Sequence, residues 1–286
     1  MKILVRISRF FAAWLFPALL ASGCGTRSGG EPSLPLAMQS YTFHRLPLGE
    51  AMERTQELGI RYMEVFAGHP LGGGFGDRTF GWGMDSAERE AVREMAADHG
   101  IRIVAMGVVV PGSREEWPQV FRFAREMGIG TITCEPDPAD WDLVERLSRE
   151  SGVTVAVHNH PRPSAYWTPD SLLRCIAQRG PSLGACADIG HWSREGLDPA
   201  ECLRKLDGRV KVLHFKDIAP AREGVAMQPD TVWGTGVLDL KGILGELRAQ
   251  RFDGYLSVEY EADGDVLSGI RQSMRNYQSA FEKREQ

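Results

Sequence analysis

Short apolar runs alternate along this chain with longer stretches in which apolar residues recur at helical spacing. The short runs predict eight strands, at Leu36–Ser40, Tyr62–Val65, Ile103–Gly107, Thr131–Cys134, Thr154–His158, Leu183–Ala187, Val210–Phe215 and Tyr255–Glu259. The longer stretches predict eight helices, at Gly49–Leu58, Ser86–His99, Glu115–Met127, Trp141–Ser151, Pro169–Gln178, Pro199–Leu206, Leu240–Gln250 and Val266–Glu285. Eight strand–helix units predict an α/β fold, a single-domain (β/α)8 TIM barrel. The alternative is an open doubly wound sheet, but no glycine-rich phosphate loop follows the first strand.

The same joint recurs between predicted helices and strands. A glycine stands between the end of a helix and an apolar run at Gly59, Gly100, Gly128 and Gly152. Glycine is favoured there because the residue after a helix often takes a left-handed conformation. Asp85, three residues before Glu88, has the spacing of a helix capping box. These signals support a repeating βα unit.

The first 23 residues have the pattern of an export signal. Three basic residues precede an apolar run, Phe10–Leu20, which is short for a membrane span, and small residues then lead to Cys24. The stretch Leu20–Cys24 resembles a bacterial lipobox. We therefore expect a lipoprotein-type signal peptide at 1–23, a lipidated Cys24, a flexible tether at 24–35 and the barrel at 36–286. The protein would then be exported to the bacterial cell envelope or periplasm; the alternative is plain secretion with an incidental Cys24.

Composition and charge limit the range of partners. The chain of 286 residues is 43% hydrophobic and 25% charged, as in soluble globular proteins. Its formal net charge is −5, and residues 1–23 hold three basic and no acidic residues, so the rest is formally −8. That charge argues against a nucleic-acid partner. We expect a small-molecule substrate and membrane contact only through the lipid anchor. The sequence does not determine the oligomeric state, for which a homo-oligomer is one alternative.

The four cysteines beyond residue 35 do not have the spacing of a zinc site. A chain of this length can build a hydrophobic core without disulfide bonds. We therefore expect Cys134, Cys175, Cys186 and Cys202 to be free thiols, mostly buried.

Acidic and imidazole side chains stand where the predicted strands end. In a TIM barrel the carboxyl ends of the strands and the loops that follow form the active site. Strand alternation can turn four of these side chains inward at one height: Glu135, Asp188, His214 and Glu259. Three carboxylates and one imidazole suit Mn²⁺ or Mg²⁺ most, with Co²⁺ or Zn²⁺ also acceptable. The alternative places these acids in buried ion pairs with arginine or lysine.

Together, the motifs at the strand ends resemble those of the xylose-isomerase-like TIM-barrel superfamily of sugar isomerases and epimerases. The motifs are Cys-Glu135-Pro, Asp188-Ile-Gly-His191, His214-Phe-Lys216-Asp217 and Ser-Val-Glu259-Tyr. The resemblance runs from about Leu36 to the end of the chain. It implies that Glu135, Asp188, His214 and Glu259 bind one divalent metal ion.

The resemblance also implies which residues contact substrate. It assigns His191 and Lys216 to the substrate, and the stretch His158-Asn-His160 resembles one that is common at the fifth strand of these barrels. Each residue has an ordinary alternative. His158 could be a hydrogen-bonded core histidine, His191 could cap the next helix, and Lys216 could be a solvated surface charge. We predict that His158, His160, His191 and Lys216 bind substrate.

Proton transfer next to a sugar carbonyl is the chemistry that this set supports. A metal ion on the carbonyl oxygen stabilises negative charge as the α proton leaves. Glu135 and Glu259 come from opposite sides of the barrel and are the predicted acid–base pair. We therefore predict a divalent-metal-dependent isomerase or epimerase that acts on a free sugar or keto-sugar through an enediolate. The alternatives are an eliminase (a dehydratase or a 3-keto-glycoside lyase) and a non-catalytic sugar-binding lipoprotein.

Overall fold

The structure is a computed structural model that describes residues 34–225 and 227–282. The predicted signal peptide, Cys24 and the tether up to residue 33 lie outside the described residues, so they stay predictions. Among the described residues, none of the helices has the length and apolar character that a membrane crossing requires.

Eight parallel strands close into a barrel, as the sequence predicts. They are β1 (Leu36–Gln39), β2 (Tyr62–Val65), β3 (Arg102–Val109), β4 (Thr131–Cys134), β5 (Thr154–His158), β6 (Leu183–Asp188), β7 (Val210–Phe215) and β10 (Tyr255–Val258). Neighbours in sequence are neighbours in the barrel, and β10 pairs with both β7 and β1 to close it. The carboxyl ends of all eight strands therefore meet at one end of the barrel.

Helices follow the strands on the outside. They are α1 (Leu48–Glu57), α2 (Ser86–Asp98), α3 (Trp117–Met127), α4 (Trp141–Ser151), α5 (Pro169–Ile176), α6 (Ile189–Arg194), α7 (Pro199–Lys205), α8 (Leu240–Ala249) and α9 (Val266–Glu282). Short 3-10 helices lie at Ser40–Phe43, Gly73–Phe75, Arg114–Glu116 and Pro138–Asp140. The predicted helices are present, with ends that agree or differ by one or two residues, except that the predicted end of α9 at Glu285 lies outside the described residues.

Two elements were not expected from the sequence. The short helix α6 begins directly after β6, because the Asp188 side chain caps it by accepting from the His191 backbone N–H at 2.7 Å. A two-stranded antiparallel ribbon, β8 (Asp217–Ile218) and β9 (Asp230–Thr231), lies in the connection after β7. Both are too short to leave a periodic pattern in the sequence.

The predicted helix ends are confirmed. Gly59, Gly100, Gly128 and Gly152 all have φ between 62° and 75°, the left-handed region that glycine enters without a steric penalty. Asp85 and Glu88 form the predicted capping box at the start of α2. The helix–glycine–strand joint therefore holds at all four positions.

Small apolar side chains fill the interior of the barrel below the site. Ala156, Cys186 and Val212, from β5, β6 and β7, form a cluster separate from the large core between strands and helices. The alternation that buries Cys186 and Val212 also turns Asp188 and His214 inward, two residues further along each strand. The four cysteines of the described chain are free, and three of them are buried.

Candidate active site

A cavity of about 480 Å³ opens at the carboxyl ends of the strands. Its lining combines apolar and ionisable side chains: Gln39, Tyr41, Phe66, Ala67, Gly107, Val108, Val110, His158, His160, His191, Glu259 and Glu261. Asp188, His214 and Lys216 lie just below it, each no more than 1% exposed. The sequence-predicted site residues therefore gather at one end of the barrel.

His214 is held by a carboxylate that the sequence interpretation did not assign. Its Nε2 lies 3.0 Å from Oε2 of Glu64, which is fully buried at the end of β2. Glu64 also accepts hydrogen bonds from Thr133 and, at 2.7 Å, from Ser257. A carboxylate on one ring nitrogen fixes the orientation of an imidazole and directs its other nitrogen.

That other nitrogen, Nδ1 of His214, faces two acids. It lies 3.0 Å from Oε2 of Glu259 and 3.9 Å from Oδ2 of Asp188. Burial opposes charge on the ring, yet the neighbouring Cys186 and the carboxylates of Glu64 and Glu259 raise the pKa of His214 well above its usual range. The surrounding carboxylates therefore favour a cation at Nδ1, either a proton or a metal ion.

Asp188 is fixed through both its backbone and its side chain. The Asn159 side chain accepts from the Asp188 N–H at 2.8 Å and donates to the Asp188 carbonyl at 3.0 Å. Oδ2 of Asp188 lies 3.3 Å from His158 Nε2 and 3.1 Å from Lys216 Nζ. Burial opposes the ionised form, but the charge of Lys216 and the contact with His158 hold the pKa of Asp188 well below its usual range.

Lys216 completes the buried charges. Its Nζ lies 3.0 Å from Oε2 of Glu259 and 3.3 Å from Oε1 of Glu261. Burial opposes the ammonium, but Asp188, Glu259 and Glu261 raise the pKa of Lys216 well above its usual range. We call Asp188, His214, Lys216 and Glu259 the inner cluster.

The described residues include a group that could hold a metal ion. One ligand atom each of His158, Asp188 and His214 lies within 4.8 Å of the other two. Two buried atoms, Nδ1 of His214 within this group and Oε2 of Glu259 beside it, make no hydrogen bond within the described chain. Imidazole nitrogen and carboxylate oxygen are the ligands that divalent transition metals and Mn²⁺ accept. The residues present therefore fit a divalent cation.

Glu135 lies on the other side of His158. Its Oε1 is 3.3 Å from Nδ1 of His158 and 2.6 Å from Nδ1 of His160, and its Oε2 accepts from Ser164 at 2.9 Å. Burial raises the pKa of Glu135, but hydrogen bonds from His158 and His160 outweigh it and lower the pKa. We call Glu135, His160 and Ser164 the outer cluster.

The geometry brings the predicted residues together unevenly. Of the four ligands predicted from the sequence, Asp188 and His214 belong to the close group, and Glu259 contacts His214. Glu135 contacts His158 and His160 instead. His191 lies over Asp188, with its Nε2 3.6 Å from Oδ2. Burial lowers the pKa of His191 to about 2, so this ring is neutral.

Three contributors were missed at the sequence level. Glu64, Asn159 and Glu261 each contact a predicted site residue, and all three stand at or just after a strand end. Their position at the strand ends was the available signal. Their partners come from other strands, however, so the sequence could not show which contacts they make.

A closed barrel with acidic and imidazole side chains at its carboxyl end defines a class of α/β-barrel enzymes. The chain belongs to the family described as "Xylose isomerase-like TIM barrel", which matches residues 52–280. The family predicted from the strand-end motifs is thereby confirmed.

Curated relatives align with part of the chain. An inosose dehydratase of Clostridium botulinum is 26% identical over 165 residues, which are 50% of this chain and 55% of the relative. The rhizopine catabolism protein MocC of Rhizobium meliloti is 34% identical over 135 residues, 43% of this chain and 41% of the relative. The chain thus spans about half the length of the curated relatives it matches.

Solved structures cover more of the chain. An uncharacterised protein of Parabacteroides distasonis is 34% identical, with a TM-score of 0.70 over 86% of this chain and 98% of that one. An L-ribulose 3-epimerase structure is 15% identical, with a TM-score of 0.65 over 87% of this chain and 95% of the other. At that identity the second likeness establishes only the shared fold.

Proposed function

We propose that this protein is a divalent-metal-dependent enzyme that moves a proton at the carbon next to a carbonyl of a sugar or keto-sugar. The observation that carries the proposal is the close group of His158, Asp188 and His214, with Glu259 beside it. These ligands suit Mn²⁺ or Mg²⁺, or a borderline ion such as Co²⁺ or Zn²⁺. A divalent cation there would draw electrons from a substrate carbonyl and acidify the neighbouring C–H bond.

Asp188, His214 and Glu259 are the proposed ligands common to the sequence and the geometry. His158 is the fourth ligand that the close group favours, and Glu135 is the fourth ligand that the motifs favour. The metal content of variants at these two positions distinguishes the two alternatives for the fourth ligand. If Glu135→Gln, purified by the same route, keeps the metal of the wild type while His158→Gln loses it, then His158 is the ligand. The reverse result assigns the role to Glu135.

Glu135 is the proposed proton acceptor. Its carboxylate is ionised at neutral pH, and its side chain is partly exposed, so a substrate can reach it. His160 at 2.6 Å orients the carboxylate and can exchange a proton with it. Glu259, which reaches the cavity from the last barrel strand, is the proposed partner that returns a proton, which gives isomerisation or epimerisation.

Solvent deuterium tests this proton transfer. Wild-type protein with Mn²⁺, incubated in D₂O with a panel of free ketoses and keto-sugars, should exchange one carbon-bound hydrogen next to the carbonyl. Glu135→Gln should remove the exchange and keep the fold, since glutamine has nearly the same shape but cannot accept the proton. Exchange at the wild-type rate in Glu135→Gln would exclude Glu135 as the base.

Elimination is the second candidate. The same proton removal can expel a hydroxyl or an alkoxide from the next carbon, and the Glu135–His160 pair could supply the proton that leaves with it. Curated relatives named inosose dehydratase favour this outcome. An unsaturated product that absorbs in the ultraviolet would identify elimination, and a saturated isomer would identify the first candidate.

A further inference from the structure

The ammonium of Lys216 lies among the atoms that would bind the metal. Its Nζ is 3.1 Å from Oδ2 of Asp188 and 3.0 Å from Oε2 of Glu259. Oδ2 of Asp188 also faces Nδ1 of His214 at 3.9 Å, and Oε2 of Glu259 faces the same nitrogen at 3.0 Å. The lysine and a divalent cation would therefore share these two oxygens.

Close packing holds the lysine in this place. Its side chain is 1% exposed, and a Cβ on Gly190 would lie 2.3 Å from Cγ of Lys216. Only a glycine at position 190 leaves room for the lysine stem to pass. The packing of the lysine stem thus holds the ammonium inside the site, so Lys216 is not a surface charge.

A second acid stands on the cavity side of the ammonium. Oε1 of Glu261 lies 3.3 Å from Nζ, its side chain is 35% exposed, and it lines the cavity. Glu261 does not contact His214 in the described chain, so it stands outside the proposed ligand set. A small movement of Nζ towards Glu261 would keep the lysine paired and free the oxygens of Asp188 and Glu259.

We propose that Lys216 is a resident counter-cation of the inner cluster, which a divalent metal must displace and which Glu261 then receives. The proposal rests on the metal centre proposed above. Two buried carboxylates need a positive charge nearby, and an ammonium and a divalent cation cannot both contact the same two oxygens without strong repulsion. Lys216 thereby sets the affinity for the metal, and its displacement brings an ammonium to the wall of the substrate cavity.

Two substitutions should change metal affinity in opposite directions. Lys216→Met removes the competing charge and should tighten Mn²⁺ binding by roughly ten-fold or more, an effect comparable to that of other residues beside metal sites. Glu261→Gln removes the acceptor for the displaced ammonium and should weaken Mn²⁺ binding. In the double variant the weakening by Glu261→Gln should be largely lost, because no ammonium remains to be received.

Isothermal titration of Mn²⁺ into chelator-treated protein tests these expectations at one pH and ionic strength. Lys211→Met is the matched control, since Lys211 lies on β7, the strand that ends just before Lys216, and makes no ion pair within the described chain. Its affinity should equal that of the wild type. Thermal unfolding with and without Mn²⁺ gives a second readout, in which Lys216→Met should show the larger rise in Tm.

The outcomes separate the two proposals. If the wild type binds Mn²⁺ and Lys216→Met binds it equally or more weakly, the counter-cation proposal is wrong and the metal centre stands. The proposal would also be wrong if Glu261→Gln lowered the Mn²⁺ affinity by the same factor in the wild type and in Lys216→Met. A wild type that binds no divalent cation overturns both. If Lys216→Met does not fold without metal, Lys216→Gln replaces it. This variant is refolded in Mn²⁺, and its Mn²⁺ affinity is compared with that of the wild type.

Discussion

The inner and outer clusters lie at the same end of the barrel but are held in different ways. The inner side chains are at most 9% exposed and come from the last strands of the barrel, and most of their contacts are with opposite charges. In the outer cluster, Glu135 is 16% and His160 48% exposed, and the two partners of Glu135, His160 and Ser164, lie in the loop after β5. A rigid, dry cluster suits the holding of a cation, whereas accessible groups suit proton exchange with a substrate.

The largest expected difference between the clusters is in stability. Asp188→Asn should lower the free energy of unfolding by about 3–5 kcal/mol, because it leaves buried positive groups without one of their partners. Glu135→Gln should change it by about 1 kcal/mol or less, because water can solvate His160, and the buried His158 keeps Asp188 as a partner. Urea unfolding of both variants, metal-free, measures the contrast. Equal losses would show that the two clusters are not held differently.

Metal affinity tests the role of Glu64, which holds His214 of the inner cluster. Glu64→Gln keeps the size of the side chain but removes the charge that orients His214, so Mn²⁺ affinity should fall about 10- to 100-fold. Ser257→Ala removes one hydrogen bond to Glu64 and should have a smaller effect. Titration calorimetry compares the variants. An affinity unchanged in Glu64→Gln would exclude the orienting role.

A buried histidine without a carboxylate partner sharpens the comparison with His214. Burial lowers the pKa of His69 to about 4, and its two ring nitrogens face Ser40 Oγ and the Leu46 carbonyl, with no carboxylate beside them among the described residues. Between pH 6.5 and 4 the folded chain therefore binds fewer protons at this residue than the unfolded chain does. Stability should fall by about 1–2 kcal/mol from pH 7 to pH 5 through this residue.

The control for that prediction is His69→Asn, which keeps a polar side chain but does not titrate. The pH dependence of its unfolding free energy should be shallower than that of the wild type over the same range. Identical slopes in the two proteins would mean that His69 takes up a proton while folded.

The smallest expected effect concerns the outer cluster and pH. Since His160 helps to lower the pKa of Glu135, His160→Asn should raise that pKa. The acid limb of the turnover profile should then move to higher pH, with little change near neutrality where the carboxylate is already ionised. His99→Asn, at the end of α2, serves as the control. An unmoved acid limb would show that His160 does not set the charge of Glu135.

The fold could be predicted because the relevant signals are local. Apolar runs such as Val210–Phe215 and the glycines at 59, 100, 128 and 152 depend on neighbours within a few residues, so their pattern is visible in the sequence. The ribbon of β8 and β9 was not predicted, because each of its strands has two residues and leaves no periodic pattern. The helix α6 was not predicted, because its start depends on the side chain of Asp188, the last residue of β6, which caps the helix.

The candidate site divides in the same way. The sequence by itself placed Glu135, Asp188, His214 and Glu259 at strand ends, because strand boundaries and alternation are local properties. It could not tell that Glu64 orients His214, that His158 lies between Glu135 and Asp188, or that Lys216 reaches the oxygens of Asp188 and Glu259. Those pairings join residues 23 to 150 positions apart. Only the closure of the barrel brings such residues within hydrogen-bond distance, so the tertiary structure decided which charges meet.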